Sequence, residues 1–135
     1  MPYKIQVIEG IGPAFAKKLE KANIFTTDDL LKCCATAKGR KKTAEKTGVD
    51  TSVLLKWANM ADLMRISGIA GQFAELLKAS GVDTVKELRN RRAENLAAKM
   101  AEVNKAKKLT RAVPPAKTVA KWIEAAKKLE PVITH

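Results

Sequence analysis

The sequence predicts an all-α protein in which two tandem repeats pack as one compact helical domain without a sheet. Three observations support that reading. Ala, Leu, Lys and Glu, all strong helix formers, supply much of the 135 residues. A segment that begins at Ile8 returns at Ile66, shifted by 58 residues. No stretch sustains the apolar–polar alternation of a half-buried strand.

The repeat sets the organisation. IEGIGPAFAKKLEKANIFTTDDLL and ISGIAGQFAELLKASGVDTVKELR match at Ile8/Ile66, Gly10/Gly68, Ile11/Ile69, Phe15/Phe73, Ala16/Ala74, Leu19/Leu77, Thr26/Thr84 and Leu30/Leu88. Ile24 faces Val82 in the same register. Further on, Lys56-Trp57 answers Lys121-Trp122 at a shift of 65, with Leu54 facing Val119, Ala61 facing Ala126 and Met64 facing Leu129. The second copy therefore carries about seven extra residues, expected in the loop around KKLTRAVPP. This divides the chain into repeats 1–65 and 66–135, each ending in a long helix that bears a Trp.

Local signals place the elements in order. Pro13 suits the first turn of a helix, where a missing N–H costs nothing, and Phe15, Ala16, Leu19 and Ala22 follow at helical spacing. Asn23 can end this helix, and Gly81 stands at the matching place. Thr27 is expected to cap a short helix running to about Cys34, with Thr84 as its counterpart. A third helix is expected from Gly39 to Thr47, stopped by Gly48. Asp50 can cap a long helix carrying Val53, Trp57, Met60 and Met64 at steps of four and three. In the second repeat, Ala93 to about Asn104 reads as helix. Pro114 and Pro115 then introduce a last helix with Val119, Trp122, Ile123 and Ala126 on one face. Both Trp residues are expected in the core.

Composition narrows the partners. Lys and Arg number 26 against 14 Asp and Glu, a balance of +12. The excess is +5 up to Arg65 and +7 from Ile66 onward, so it is no basic tail on a neutral body. Such a field attracts polyanions, although surplus lysine can also serve solubility alone. Apolar residues make up 46%, enough for a continuous core. No apolar run approaches the ~20 residues that cross a bilayer, and MPYKIQVIEG has too short an apolar stretch for a secretory signal. The expected location is the cytoplasm. Cys33 and Cys34 are adjacent, so a disulfide between them would be strained; they read as small reduced residues.

Gly10-Ile11-Gly12 carries the chemistry. It lies between the apolar Ile5 and Ile8 and the helix opened by Pro13. The glycines permit unusual backbone angles, and Ile11 plugs the core and fixes the bend. The N–H groups of Gly12 and of the next helical turn are then expected to face outward without internal partners. With the positive end of the helix dipole they make a small anion site that suits a phosphate oxygen and reads no bases. The same bend can also serve simply to join two helices.

These residues resemble the helix-hairpin-helix motif of many DNA repair, recombination and replication proteins. The resemblance implies DNA binding without sequence preference, through hairpin amides and nearby basic side chains, usually across the minor groove. It also implies two copies packed as a pseudo-symmetric unit. Carried over by position, the first hairpin is Gly10, Ile11 and Gly12, and the second is Gly68, Ile69 and Ala70, followed by Gly71. The second departs from the pattern, because Ala70 replaces the latter glycine and Gly71 stands where the first copy has Pro13, where it is expected either to restore the lost flexibility or to fray the helix start. Strong DNA-binding versions often have a basic residue soon after the last glycine; Ala14 and Gln72 hold those places here. Lys17, Lys18 and Lys21 follow one to two turns later, while Glu75 stands opposite Lys17. In some members the hairpin carbonyls also hold a potassium or sodium ion when DNA is bound; nothing in these residues decides that, and no cofactor is expected. The whole chain is also similar to a bacterial family of small proteins with two such hairpins, described as a domain of unknown function. The stretches WANMADLMRISGIAGQFAELLKASGVDTVKEL and AAKMAEVNKAKKLTRAVPP carry that similarity.

The expected partner is nucleic acid, DNA before RNA, with neither a membrane nor a small-molecule substrate. Basic clusters add to the hairpins: Lys38, Arg40, Lys41, Lys42 and Lys46; Arg89, Arg91 and Arg92; Lys105, Lys107, Lys108 and Arg111. Of these, Arg40, Lys41 and Lys42 are expected to join the interface. Aromatic residues do not interleave with them, which argues against base stacking on single strands. An enzyme is not expected. The only histidine is His135, two adjacent cysteines do not make a four-ligand zinc site, and no phosphate-loop motif occurs. The competing reading is a helix-hairpin-helix protein-interaction module that does not touch nucleic acid.

Overall fold

Pro13 and the capping side chains of Thr26, Thr36, Asp50 and Thr84 start five of the helices in the computed structural model, which describes residues 3–134. A short 3-10 turn, Ile5–Val7, leads into α1 (Pro13–Glu20), α2 (Thr27–Cys34), α3 (Ala37–Thr47) and α4 (Thr51–Leu63). The second repeat follows as α5 (Gly71–Ala79), α6 (Val85–Leu88), α7 (Ala93–Lys107) and α8 (Ala116–Lys127). The fold is all-helical: among the described residues no strand forms, only an isolated antiparallel bridge between Lys4 and Thr26. No described helix is long and apolar enough to cross a membrane. His135 lies outside the described residues.

The repeat is written into the core. Ile8/Ile66, Ile11/Ile69, Ala16/Ala74, Leu19/Leu77, Ile24/Val82, Leu30/Leu88, Leu54/Val119, Trp57/Trp122 and Ala61/Ala126 are buried in both members of each pair. Removing a side chain such as Leu19 from water stabilises by roughly 1.5–3 kcal/mol. These residues form one continuous cluster across both halves. Met64 is buried, whereas its counterpart Leu129 is half-buried. The two stops also match: Asn23 has φ 59 and Gly81 has φ 94, both left-handed.

Three boundaries differ from expectation, the first being the start of α3, which begins at Ala37 under a Thr36 cap rather than at Gly39. The cap of α2 is Thr26, not Thr27. The Thr26 hydroxyl accepts from Asp29 N–H, and the Asp29 carboxylate accepts from Thr26 N–H, a reciprocal box. A second bond from Phe25 N–H, with these, holds the Asp29 carboxyl below the usual range. Thr27 is instead buried, and its Oγ1 accepts from Tyr3 N–H at 3.2 Å. Helix α7 runs one turn past Asn104 to Lys107 and stops where Lys108 turns left-handed at φ 52. The Asn104 side chain then ties down Thr110 through both its amide groups. The extra residues of the second copy thus fall partly in α7, which has 15 residues against 11 in α3, and partly in loop 108–115.

The halves interlock through main chain. Asp62 at the end of α4 is buried, pairs with Arg65 at 2.7 Å, and accepts Val85 N–H at the start of α6 at 2.9 Å. Arg65 reaches Glu130 O at 3.0 Å, and Thr134 N–H donates to Ala35 O at 2.8 Å. The start of α5 meets the first turn most closely: a Cβ on Gly71 would lie 2.3 Å from Val7 O. Gly71 therefore neither frays nor loosens the helix; it allows two main chains to touch. Gly71→Ala is expected to cost about 1–3 kcal/mol by overpacking. Gly12→Ala, whose Cβ meets nothing within 4 Å, is expected to stay within about 0.5 kcal/mol of wild type. Urea unfolding of the two variants checks the contrast.

Candidate nucleic-acid interface

The two bends share one backbone. Gly10 has φ 97 and Gly68 has φ 95, a region that favours glycine. The N-caps that follow, Gly12 at φ −88, ψ −174 and Ala70 at φ −100, ψ −175, are extended and ordinary. This explains why alanine replaces glycine at position 70 without altering the bend. Ile11 N–H donates to Ile8 O and Ile69 N–H to Ile66 O, both at 3.1 Å. Ala16 N–H and Ala74 N–H close the first helical turns onto Gly12 O and Ala70 O, both at 2.9 Å. Ile11 and Ile69 are buried plugs, as expected, so they shape the bends from beneath and present no side chain to a ligand.

At the first bend, the amides of Gly12, Ala14 and Phe15 have no acceptor among the described residues, and Pro13 has no N–H. Gly10, Gly12, Pro13, Ala14, Lys17 and Lys18 are all exposed. Lys18 Nζ lies 5.3 Å from the centre of the Phe15 ring, a cation–π contact that keeps the charge near the bend. The free donors and the positive end of the helix dipole thus occur together, with Lys17 and Lys18 in the last turn of the same short helix.

The second bend offers less. Ala70, Gln72 and Phe73 also lack main-chain acceptors, and Gly68 and Gln72 are exposed. Gly71, expected in the interface, is buried against Val7, and Ala70 is half-buried. Glu75 adds a carboxylate where the first copy has Lys17.

Sequence reasoning missed a donor at each bend. Trp57 Nε1 lies 3.5 Å from where a Gly10 Cβ would be, and Trp122 Nε1 lies 3.2 Å from the same point on Gly68. The indoles are 3% and 4% exposed, each with its nitrogen next to the glycine of its own bend. Phe15 stacks edge-on against Trp57 at 5.1 Å, and Phe73 packs tilted against Trp122 at 5.4 Å. The equivalence of the two Trp positions was the available signal; the helix face alone reads as core.

The basic clusters divide. Lys41 and Lys42 are exposed on α3 beside Lys38 and Lys46. Arg40, expected to join them, is 4% exposed and turned inward. Its guanidinium donates to Cys34 O at 3.0 Å, Ala35 O at 3.1 Å and Thr134 O at 2.6 Å. Arg40 thus satisfies the free carbonyls at the end of α2 and leaves the interface. Arg89 behaves likewise, donating to Lys127 O at 3.0 Å at the end of α8, while Arg92 remains exposed. Cys34 is buried, and that burial pushes its thiol up to about 11, so it stays protonated near neutral pH. Cys33 and Cys34 are both free thiols. Among the described residues, no group of three His, Cys, Asp or Glu side chains could hold a metal ion.

No curated protein and no solved structure matches this chain. A family model does, over residues 9–129, a span that includes both bends and both Trp-bearing helices, and the chain therefore belongs to the family described as a domain of unknown function (DUF4332).

Proposed function

We propose that the protein binds the phosphate backbone of nucleic acid, duplex DNA foremost, without reading sequence, and that the first bend is the contact point of a helix-hairpin-helix unit. The observation that carries this reading is the exposed, unpartnered set of amides at Gly12, Ala14 and Phe15 at the start of α1. These donors suit a phosphate oxygen, and phosphates are alike in every sequence. Lys17 and Lys18 on the same helix and Lys41 and Lys42 on α3 supply exposed positive charge, and the Trp57 indole adds a further donor at the bend. The covered start of α5 makes the second bend the weaker half of the pair.

Fluorescence anisotropy with labelled duplex DNA tests the proposal. Binding is expected at micromolar protein in low salt, independent of base sequence. With about four phosphates neutralised, log affinity should fall against log salt with a slope of about −3.6. Absence of binding in low salt removes the reading. The protein-interaction reading then gains; the covered second bend and the non-basic Ala14 and Gln72 after the hairpins are what favour it.

A further inference from the structure

The second repeat carries a basic connection that the first repeat lacks. Helices α3 and α7 both precede a Trp-bearing helix, and both end in a left-handed residue whose N–H closes the last turn. Gly48 N–H donates to Ala44 O at 2.8 Å, and Lys108 N–H donates to Asn104 O at 2.7 Å. After Gly48 the chain needs only Val49 and Asp50 to reach α4, whereas after Lys108 it takes residues 109–115 to reach α8. Segment 105–111 holds Lys105, Lys107, Lys108 and Arg111 and no acid. All four cations are exposed, and among the described residues none joins an ion pair.

The connection is fixed from within. Leu109 and Val113 pack against the core, Pro114 is buried, and the buried Asn104 holds Thr110 through both its amide groups at 2.9 and 3.0 Å. Thr110 Oγ1 donates in turn to Ala112 O at 2.8 Å. None of these ties uses a cation. The charges therefore stand on ordered backbone, which lowers the cost of immobilising them against a ligand. Stability does not account for them all. Lys105 and Lys107, in the last turn of α7, suit the negative end of the helix, but Arg111 lies beyond it. Lys108 adopts φ 52, a region that disfavours a residue with a Cβ, where the first copy has glycine at φ 77.

We infer, on the reading that the first bend takes duplex phosphates, that segment 105–111 is the second copy's contact with the same backbone, in place of its covered bend. The lysines supply point charges, and Arg111 supplies a planar fork that suits a phosphate. No aromatic residue stands among them, so the segment neutralises phosphates and does not stack on bases. The duplex meets unlike points on the two copies: main-chain amides on the first, side-chain cations on the second.

Anisotropy with duplex DNA across a salt series tests this assignment. Replacing Lys105, Lys107, Lys108 and Arg111 together by Gln should make the slope of log affinity against log salt shallower by at least about 0.9, the loss of one phosphate contact. The melting temperature should hold, because the ties of Asn104 and Thr110 remain. A charge-matched variant, with the exposed Lys86, Lys99, Lys121 and Lys128 replaced by Gln, should change the slope by less. A loop effect no larger than that of the matched variant overturns the assignment. Should the fourfold loop variant lose its fold, Lys108→Gly and Arg111→Gln carry the same test with one charge each; Lys108→Gly, which copies the cap of α3, should melt no lower than wild type. Gly12→Asp, measured in parallel, keeps the two contacts apart. A loop effect with Gly12→Asp binding as tightly as wild type retains the loop and removes the bend, and the reverse retains the bend and removes the loop. No duplex binding by the wild-type chain removes both.

Discussion

Arg40→Met is expected to lower the stability of the fold by about 2–4 kcal/mol, although Arg40 stands within a run of basic residues. Methionine keeps the length and apolar stem of the side chain but removes every donor. Three main-chain carbonyls then lose their partner: Cys34 O and Ala35 O, at the end of α2, and Thr134 O, in the tail that returns from the second half. Cys34 O is buried with the helix end, so water replaces the lost bond poorly. Thr134 also loses one of its two ties to the first half, the other being Thr134 N–H to Ala35 O. Arg40→Lys should recover only part of the loss, because one ammonium cannot span three carbonyls as a planar fork does. Lys41→Ala and Lys42→Ala should change stability by no more than about 0.5 kcal/mol. Each should instead reduce the salt slope of DNA binding by about 0.9 where it meets a phosphate. Thermal unfolding and anisotropy on the same variants separate the roles. An Arg40→Met protein as stable as wild type, binding DNA less well, would return Arg40 to the interface.

This division marks how far the sequence was legible. The fold class followed from helix-forming composition and the repeat, and the core followed from repeated apolar positions, because burial of a helix face is a periodic property. The bend followed from Gly10, whose left-handed backbone is a local demand. The misses involve contacts between distant segments. Thr26 and Thr27 have the same capping chemistry; pairing of residues 3–5 with 25–27 chooses between them. Gly71 reads as a flexible or fraying start until Val7 O is seen against it. Arg40 is one of several cations on α3, and only the arrival of Thr134 from the far end of the chain distinguishes it from Lys41. Trp57 shares the buried face with Met60, and its N–H beneath Gly10 depends on how α4 crosses the bend.

Gly12→Asp should separate stability from binding at the proposed contact. Gly12 is the N-cap of α1, carries no side-chain cap, has ordinary extended angles, and has open space around its missing Cβ. Aspartate is among the best residues at such a position, and a carboxylate there also favours the positive end of the helix. Stability should therefore hold or rise by a few tenths of a kcal/mol. Binding should move the other way. The carboxylate would accept from the Ala14 or Phe15 amide, taking a donor that a phosphate needs, and would set a negative charge against the ligand. A ten- to thirtyfold loss of DNA affinity is expected, corresponding to about 1.4–2 kcal/mol. Gly12→Ser separates the two causes, since its hydroxyl occupies an amide without adding charge; it should lose affinity by a smaller factor. Thermal unfolding and anisotropy at one salt concentration read both quantities. Free amides at this bend have a role in binding only if the melting temperature holds while affinity falls. A Gly12→Asp chain that melts normally and binds DNA as tightly as before would mean that the phosphate contacts lie elsewhere on the surface.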